Sequence, residues 1–138
     1  MKKLIIFTLF LRLFGFDIDE FDKGLDALRS DDFKGAFEIF YKGCELNDEM
    51  SCEELGVMYI NGEVSSELDN VVNEQNTQQI GLNYIFKSCE LGYMNACGDI
   101  VDLQKDIKID REILNKATIK YNEMINEYQT NSDLNATN

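Results

Sequence analysis

Residues 40 to 52 read Phe-Tyr-Lys-Gly-Cys-Glu-Leu-Asn-Asp-Glu-Met-Ser-Cys, and residues 85 to 97 read Ile-Phe-Lys-Ser-Cys-Glu-Leu-Gly-Tyr-Met-Asn-Ala-Cys. The chain thus writes one pattern twice, at an offset of 45 residues: two bulky residues, lysine, a small residue, Cys-Glu-Leu, and a second cysteine eight positions after the first. All four cysteines, Cys44 and Cys52 and then Cys89 and Cys97, stand at these equivalent places. An internal period of that length is the mark of stacked supersecondary units, none of which buries its apolar face alone. Four cysteines allow three pairings. Repetition of the spacing predicts the two local bridges, Cys44–Cys52 and Cys89–Cys97, each stapling the end of one helix to the start of the next.

The periodicity around these turns is helical. Ile18, Phe21, Leu25 and Leu28 recur at three and four residues and predict a first helix over 17–30. Phe33, Ala36, Phe37, Phe40, Tyr41 and Cys44 give a second over 33–46, with Asp32 as its cap and Glu38–Lys42 as a pair on the exposed side. A third helix starts at Met50 or Ser51 and stops near Asn61-Gly62. Gly56 within it suits close approach by a neighbour. Glu63 to Gln75 reads as a long acidic loop whose one strongly apolar spot is Val71-Val72. A fourth helix, capped by Thr77, and a fifth, from Ala96, follow. A degenerate third copy places Thr118 opposite Cys44 and Cys89, Ala117 opposite Gly43 and Ser88, and Asp106 as an N-cap. Three helix pairs result. The expected fold is all-α, a short right-handed alpha-solenoid of disulfide-stapled helix pairs spanning residues 17–128, with a flexible polar tail over 129–138.

Lys2-Lys3 followed by the apolar run Leu4 to Leu11 reads as a signal peptide over residues 1–16, too short and too broken by Arg12 to span a membrane. Export to the periplasm or medium fits the regular cysteines. Without residues 1–16 the chain holds 10 basic and 26 acidic residues, a net charge of −16. Such a surface repels nucleic-acid phosphates and anionic lipid, and favours basic partners.

These residues resemble a known family. The chain is similar to the Sel1-like repeats, relatives of the tetratricopeptide repeats, and within them to the cysteine-rich exported subgroup of Helicobacter and Campylobacter. Leu55-Gly56, Tyr59 and Gly62 match the first half of that repeat. Ala36, Ile39-Phe40 and Lys42-Gly43-Cys44-Glu45-Leu46 match the second half, as do Gly81, Tyr84-Ile85 and Lys87-Ser88-Cys89-Glu90-Leu91 in the next unit. The resemblance departs at the long loop after Gly62, at Ile100-Val101, at Gln104 and at Thr118. It implies the solenoid and its bridges. It does not fix an activity, since some members carry penicillin-binding or beta-lactamase names and others are adaptors.

For hydrolysis the residues offer little. The chain has no histidine, and neither S-x-x-K nor K-T-G occurs, so a beta-lactamase-type hydrolase is the runner-up reading. The adjacent carboxylates Glu53-Glu54 and Asp31-Asp32 read as caps and first-turn acids. A C-x7-C spacing is foreign to zinc sites, and no cofactor is expected. The leading expectation is a non-catalytic protein-interaction module with a protein or peptide partner of basic character; a purely structural role is the third reading. Tyr59, Asn61, Tyr93 and Asn95, with the loop acids Glu63, Glu67, Asp69 and Glu74, are its candidate contacts.

Overall fold

The computed structural model describes residues 16–73 and 75–136. The expected signal peptide, apart from Phe16, and Glu74 lie outside them. Among the described residues there are six helices and no strand: α1 (Ile18–Arg29), α2 (Phe33–Glu45), α3 (Glu49–Ile60), α4 (Thr77–Leu91), α5 (Met94–Leu103) and α6 (Arg111–Ala136). Each packs on its neighbour in sequence, α6 also touches α4, and the most extensive contact is that of α3 with α4.

Helix ends follow from local chemistry. Asp17, Asp32 and Asp48 each accept a backbone N–H of the first turn, satisfying one of the donors that a helix start leaves unpaired. Four helices close in the same way, on a residue with left-handed backbone: Asp31 (φ 58°), Asn47 (62°), Gly62 (73°) and Gly92 (109°). In each case the next residue's N–H returns to the carbonyl five positions back, as in Asp48 to Gly43 and Tyr93 to Ser88. Asn47 and Gly92 are equivalent in the repeat, so the two turns are one structure written twice. Both expected bridges close across them, Cys44–Cys52 and Cys89–Cys97.

The core has two parts. Phe21, Phe40, Leu55, Met58 and Tyr59 centre the first, around α1 to α3; Leu82, Ile85, Ile100 and Ala117 centre the second, around α4 to α6. They meet where α3 crosses α4. A Cβ on Gly56 would stand 2.9 Å from the backbone nitrogen of Ile85, so the two helices pack backbone to backbone there. Lysines tie alternate helices together. Lys87 Nζ donates to the Cys44 carbonyl near the end of α2 (2.8 Å), and Lys120 Nζ to the Glu90 carbonyl near the end of α4 (2.6 Å). Each puts a cation at the negative end of a helix dipole.

Several expectations are corrected. Ile18 is 57% exposed and stands off the stripe it was grouped with, because α1 buries Phe21 and Gly24 instead. Lys42 pairs with Glu20 of α1 (3.1 Å) rather than with Glu38, since α1 lies across that face of α2. Thr77 is the first residue of α4 and Asn76 holds the cap position without a capping bond; its side chain serves the loop, accepting from Asn73 N and donating to the Val71 carbonyl. In the third copy α6 begins at Arg111 behind Asp110, which accepts from Glu112 N, so Asp106 is not its cap. Gly43, Ser88 and Ala117, which that alignment sets opposite one another, are all buried. Helix α6 also runs to Ala136, into the segment read as a polar tail.

Candidate functional site

The long segment between α3 and α4 is anchored, not loose. Its own Val64 and Val72 are buried in the first core, and the Tyr59 hydroxyl donates to Asp69 Oδ2 at 2.5 Å while Asp69 Oδ1 accepts from Val71 N at 3.1 Å. Tyr59 itself is fully buried and stacks on Tyr84, ring centroids 5.5 Å apart. Burial first, then the bond to Asp69, holds its phenol far above the usual tyrosine range. Tyr59 and Asp69 are therefore a packing pair rather than open contacts. Of the other loop acids, Glu67 is exposed and Glu63 half-buried.

Chemistry converges instead between α3 and α5. A cleft of about 440 Å³ lined by Glu53, Glu54, Asn95, Asp99 and Tyr121 adjoins one of about 320 Å³ lined by Ile60, Asn61, Ile85, Leu103 and Asp106. Val57, Asp99 and Asp102 line both, so the two form one continuous groove. Five carboxylates line it, Glu53, Glu54, Asp99, Asp102 and Asp106, against one cation, Lys105, which is paired with Asp102 at 2.9 Å. Asn61 and Asn95 of the expected contacts lie in this groove, and Tyr93 beside it accepts from Asn95 Nδ2 (3.3 Å).

Crowding of like charges here is strong. Burial, then a hydrogen bond and charge repulsion from Asp99, then repulsion from Glu54, push the Glu53 carboxyl up to about 8. These causes favour the protonated form of Glu53 at neutral pH. Burial, with repulsion from Glu63 and Asp99, raises Glu54 as well. Burial also raises the Tyr93 phenol, with Glu53, Glu54 and Asp99 adding to it.

Glu53 and Glu54 are thus not the caps and first-turn acids that their adjacency suggests. Asp48 caps α3 and Glu49 holds its first turn. The signal that locates them was present in the repeat register, which sets Glu54 opposite Asp99, Val57 opposite Asp102 and Asn61 opposite Asp106. Equivalent faces of α3 and α5 flank the same groove. Gly98, opposite Glu53, leaves room that the Tyr121 ring of α6 approaches, its Cε2 3.1 Å from where a Cβ would be.

Among the described residues no three acidic or cysteine side chains are grouped to hold a metal ion, and no helix is long and apolar enough to cross a membrane. Compared with protein-family models, curated proteins and solved structures, the chain matches none.

Proposed function

We propose that this chain is an exported, non-catalytic protein-interaction module, built as a short right-handed solenoid of Sel1-like helix pairs, whose partner is basic. The observation that supports this reading is the α3–α5 groove, lined by five carboxylates, a stretch of apolar residues and a single paired lysine. Such a surface attracts cationic segments over several ångströms and has apolar area to hold them once docked. The charge of −16 on the chain without residues 1–16 acts in the same direction. Paired cysteines suit an oxidising compartment such as the periplasm or the medium.

The test is affinity recovery from periplasmic extract and culture medium, with residues 17–138 as bait. A basic protein should be retained at about 0.05 M salt and released by about 0.5 M, because exposed charge pairs are screened over that range. Retention indifferent to salt, or turnover of a beta-lactam by the purified protein that disappears with one side-chain substitution, would reject the reading.

A further inference from the structure

The groove has two unlike halves. Val57, Ile60, Ile85 and Leu103 contribute apolar lining to one, Glu53 and Glu54 line the other, and Asp99 and Asp102 belong to both. Charge alone would serve any small cation, whereas a charged half beside an apolar one matches a chain that presents both kinds of side chain in turn. Each part of the groove is near the lower end of the range for ligand clefts, about 300–1,000 Å³. That size suits side chains of a peptide rather than a folded domain. Asn95 stands in the Glu53 half and Asn61 in the Asp106 half, so an amide with both donor and acceptor lies toward each end.

We propose that this groove docks an extended peptide segment, setting a lysine or arginine between Glu53 and Asp99 and an adjacent apolar side chain against the half-buried Val57, Ile60 and Leu103. The proposal rests on the reading of the chain as an interaction module, and adds where the partner sits and what it presents. The charge complementarity is one-sided. Glu53 is faced by Glu54 on its own helix, by Asp99 and Asp102 on α5, by Tyr93 in the α4–α5 turn and by Tyr121 on α6, and Glu54 by Glu63 beyond α3. Every one of these is acidic or neutral. The one lining cation, Lys105, is 71% exposed and held by Asp102.

Docking is therefore coupled to a proton. Burial and repulsion from Asp99 favour the protonated form of Glu53, which titrates near 8. A bound ammonium or guanidinium offsets that repulsion, so the Glu53 proton leaves for solvent as the cation enters. Below about pH 8 that release opposes binding, and affinity rises with pH until Glu53 is already ionised.

Fluorescence anisotropy of a labelled Lys-Leu-Lys-Leu-Lys-Leu hexapeptide on the disulfide-intact protein tests this, with a Lys-Ser hexapeptide of equal charge as comparison. The leucine peptide should bind more tightly than the serine one, and several-fold more tightly at pH 8.5 than at pH 6.5. The double substitution Glu53→Gln, Asp99→Asn should weaken binding at least about tenfold and flatten the pH dependence. Glu127→Gln, on the exposed far part of α6, should change neither, and circular dichroism checks that each variant is folded. Leucine-peptide binding that survives the double substitution with its pH dependence intact would overturn the groove assignment while leaving the basic-partner reading standing. Absence of hexapeptide binding, with a basic protein still recovered on the bait, would have the same consequence. Failure of both experiments would remove the reading itself.

Discussion

A side chain on Gly56 would lie 2.6 Å from the carbonyl oxygen of Gly81, and one on Gly81 would lie 2.5 Å from the carbonyl oxygen of Gly56. The two glycines face each other where α3 crosses α4, and their reciprocal fit joins the two halves of the core. Replacing Gly56 by alanine improves helix propensity by up to about 1 kcal/mol. It also drives a methyl group into backbone that cannot rotate away, at about 1–3 kcal/mol. We expect a net loss of roughly 1–2 kcal/mol in chemical denaturation. A stabilised Gly56→Ala protein would show that the helices are not in backbone contact.

Ser51 points the other way. Its Oγ is fully buried beside Gly43, with no hydrogen-bond partner among the described residues. In the second copy the equivalent pair is Ser88 and Ala96; there the hydroxyl sits on the other residue and donates to the Glu49 carbonyl at 2.6 Å. Ser51→Ala therefore removes an unsatisfied group at the position where the second copy already has alanine. Stability should be unchanged or higher by up to about 1 kcal/mol, read as the urea midpoint. A loss of more than that amount would mean the hydroxyl has a partner.

Tyr59→Phe should loosen the long connection without unfolding the helices. It deletes the donor to Asp69 and leaves that carboxylate half-buried with one backbone partner, costing about 1–3 kcal/mol. Limited proteolysis should then cut within residues 63–73 sooner, while the disulfide-stapled turns stay protected. In the native protein the raised phenol should keep Tyr59 silent in an alkaline ultraviolet titration until the chain unfolds.

The bridges should act mainly on the unfolded chain. Each closes a loop of about nine residues, worth roughly 2 to 3 kcal/mol by the loop-entropy estimate. Reduction should lower the melting temperature clearly and leave the far-ultraviolet helical signal at low temperature intact. Peptide mapping under non-reducing conditions should return only the Cys44–Cys52 and Cys89–Cys97 linkages.

Glu53 predicts a pH dependence of a definite sign. Its folded-state pKa, about 8, lies above the ordinary carboxylate value of 4.5. Between the two the folded chain holds a proton that the unfolded chain has released, so stability falls as pH rises through that window. The melting temperature should decline from pH 5 to pH 9, and less so in Glu53→Gln. General repulsion among the acids gives a similar slope in both proteins, so the difference between them isolates this carboxyl.

Much of the architecture was legible before any coordinates. The apolar stripes, Asp32 as a cap, the stop at Gly62 and the local cysteine pairs all depend on residues within about a dozen positions of each other, and their spacing alone carries the information. The groove was not legible in that way. Glu53 and Glu54 read as ordinary helix acids until α5 brings Asp99 against them from 45 residues away. Asp69 read as a free loop acid until Tyr59 proved to be buried beneath it.

The sequence by itself determined the helices, the ends of α1 to α3 and the two covalent staples, because backbone hydrogen bonding and chain proximity set these locally. Only the tertiary structure decided which acids are crowded, which tyrosine is sealed in and which face is left open. Those properties depend on how closely helices approach, and the approach is set by contacts such as Gly56 on Gly81. A carboxylate beside solvent and one beside another carboxylate are the same letter; burial and a neighbour's charge make them different groups.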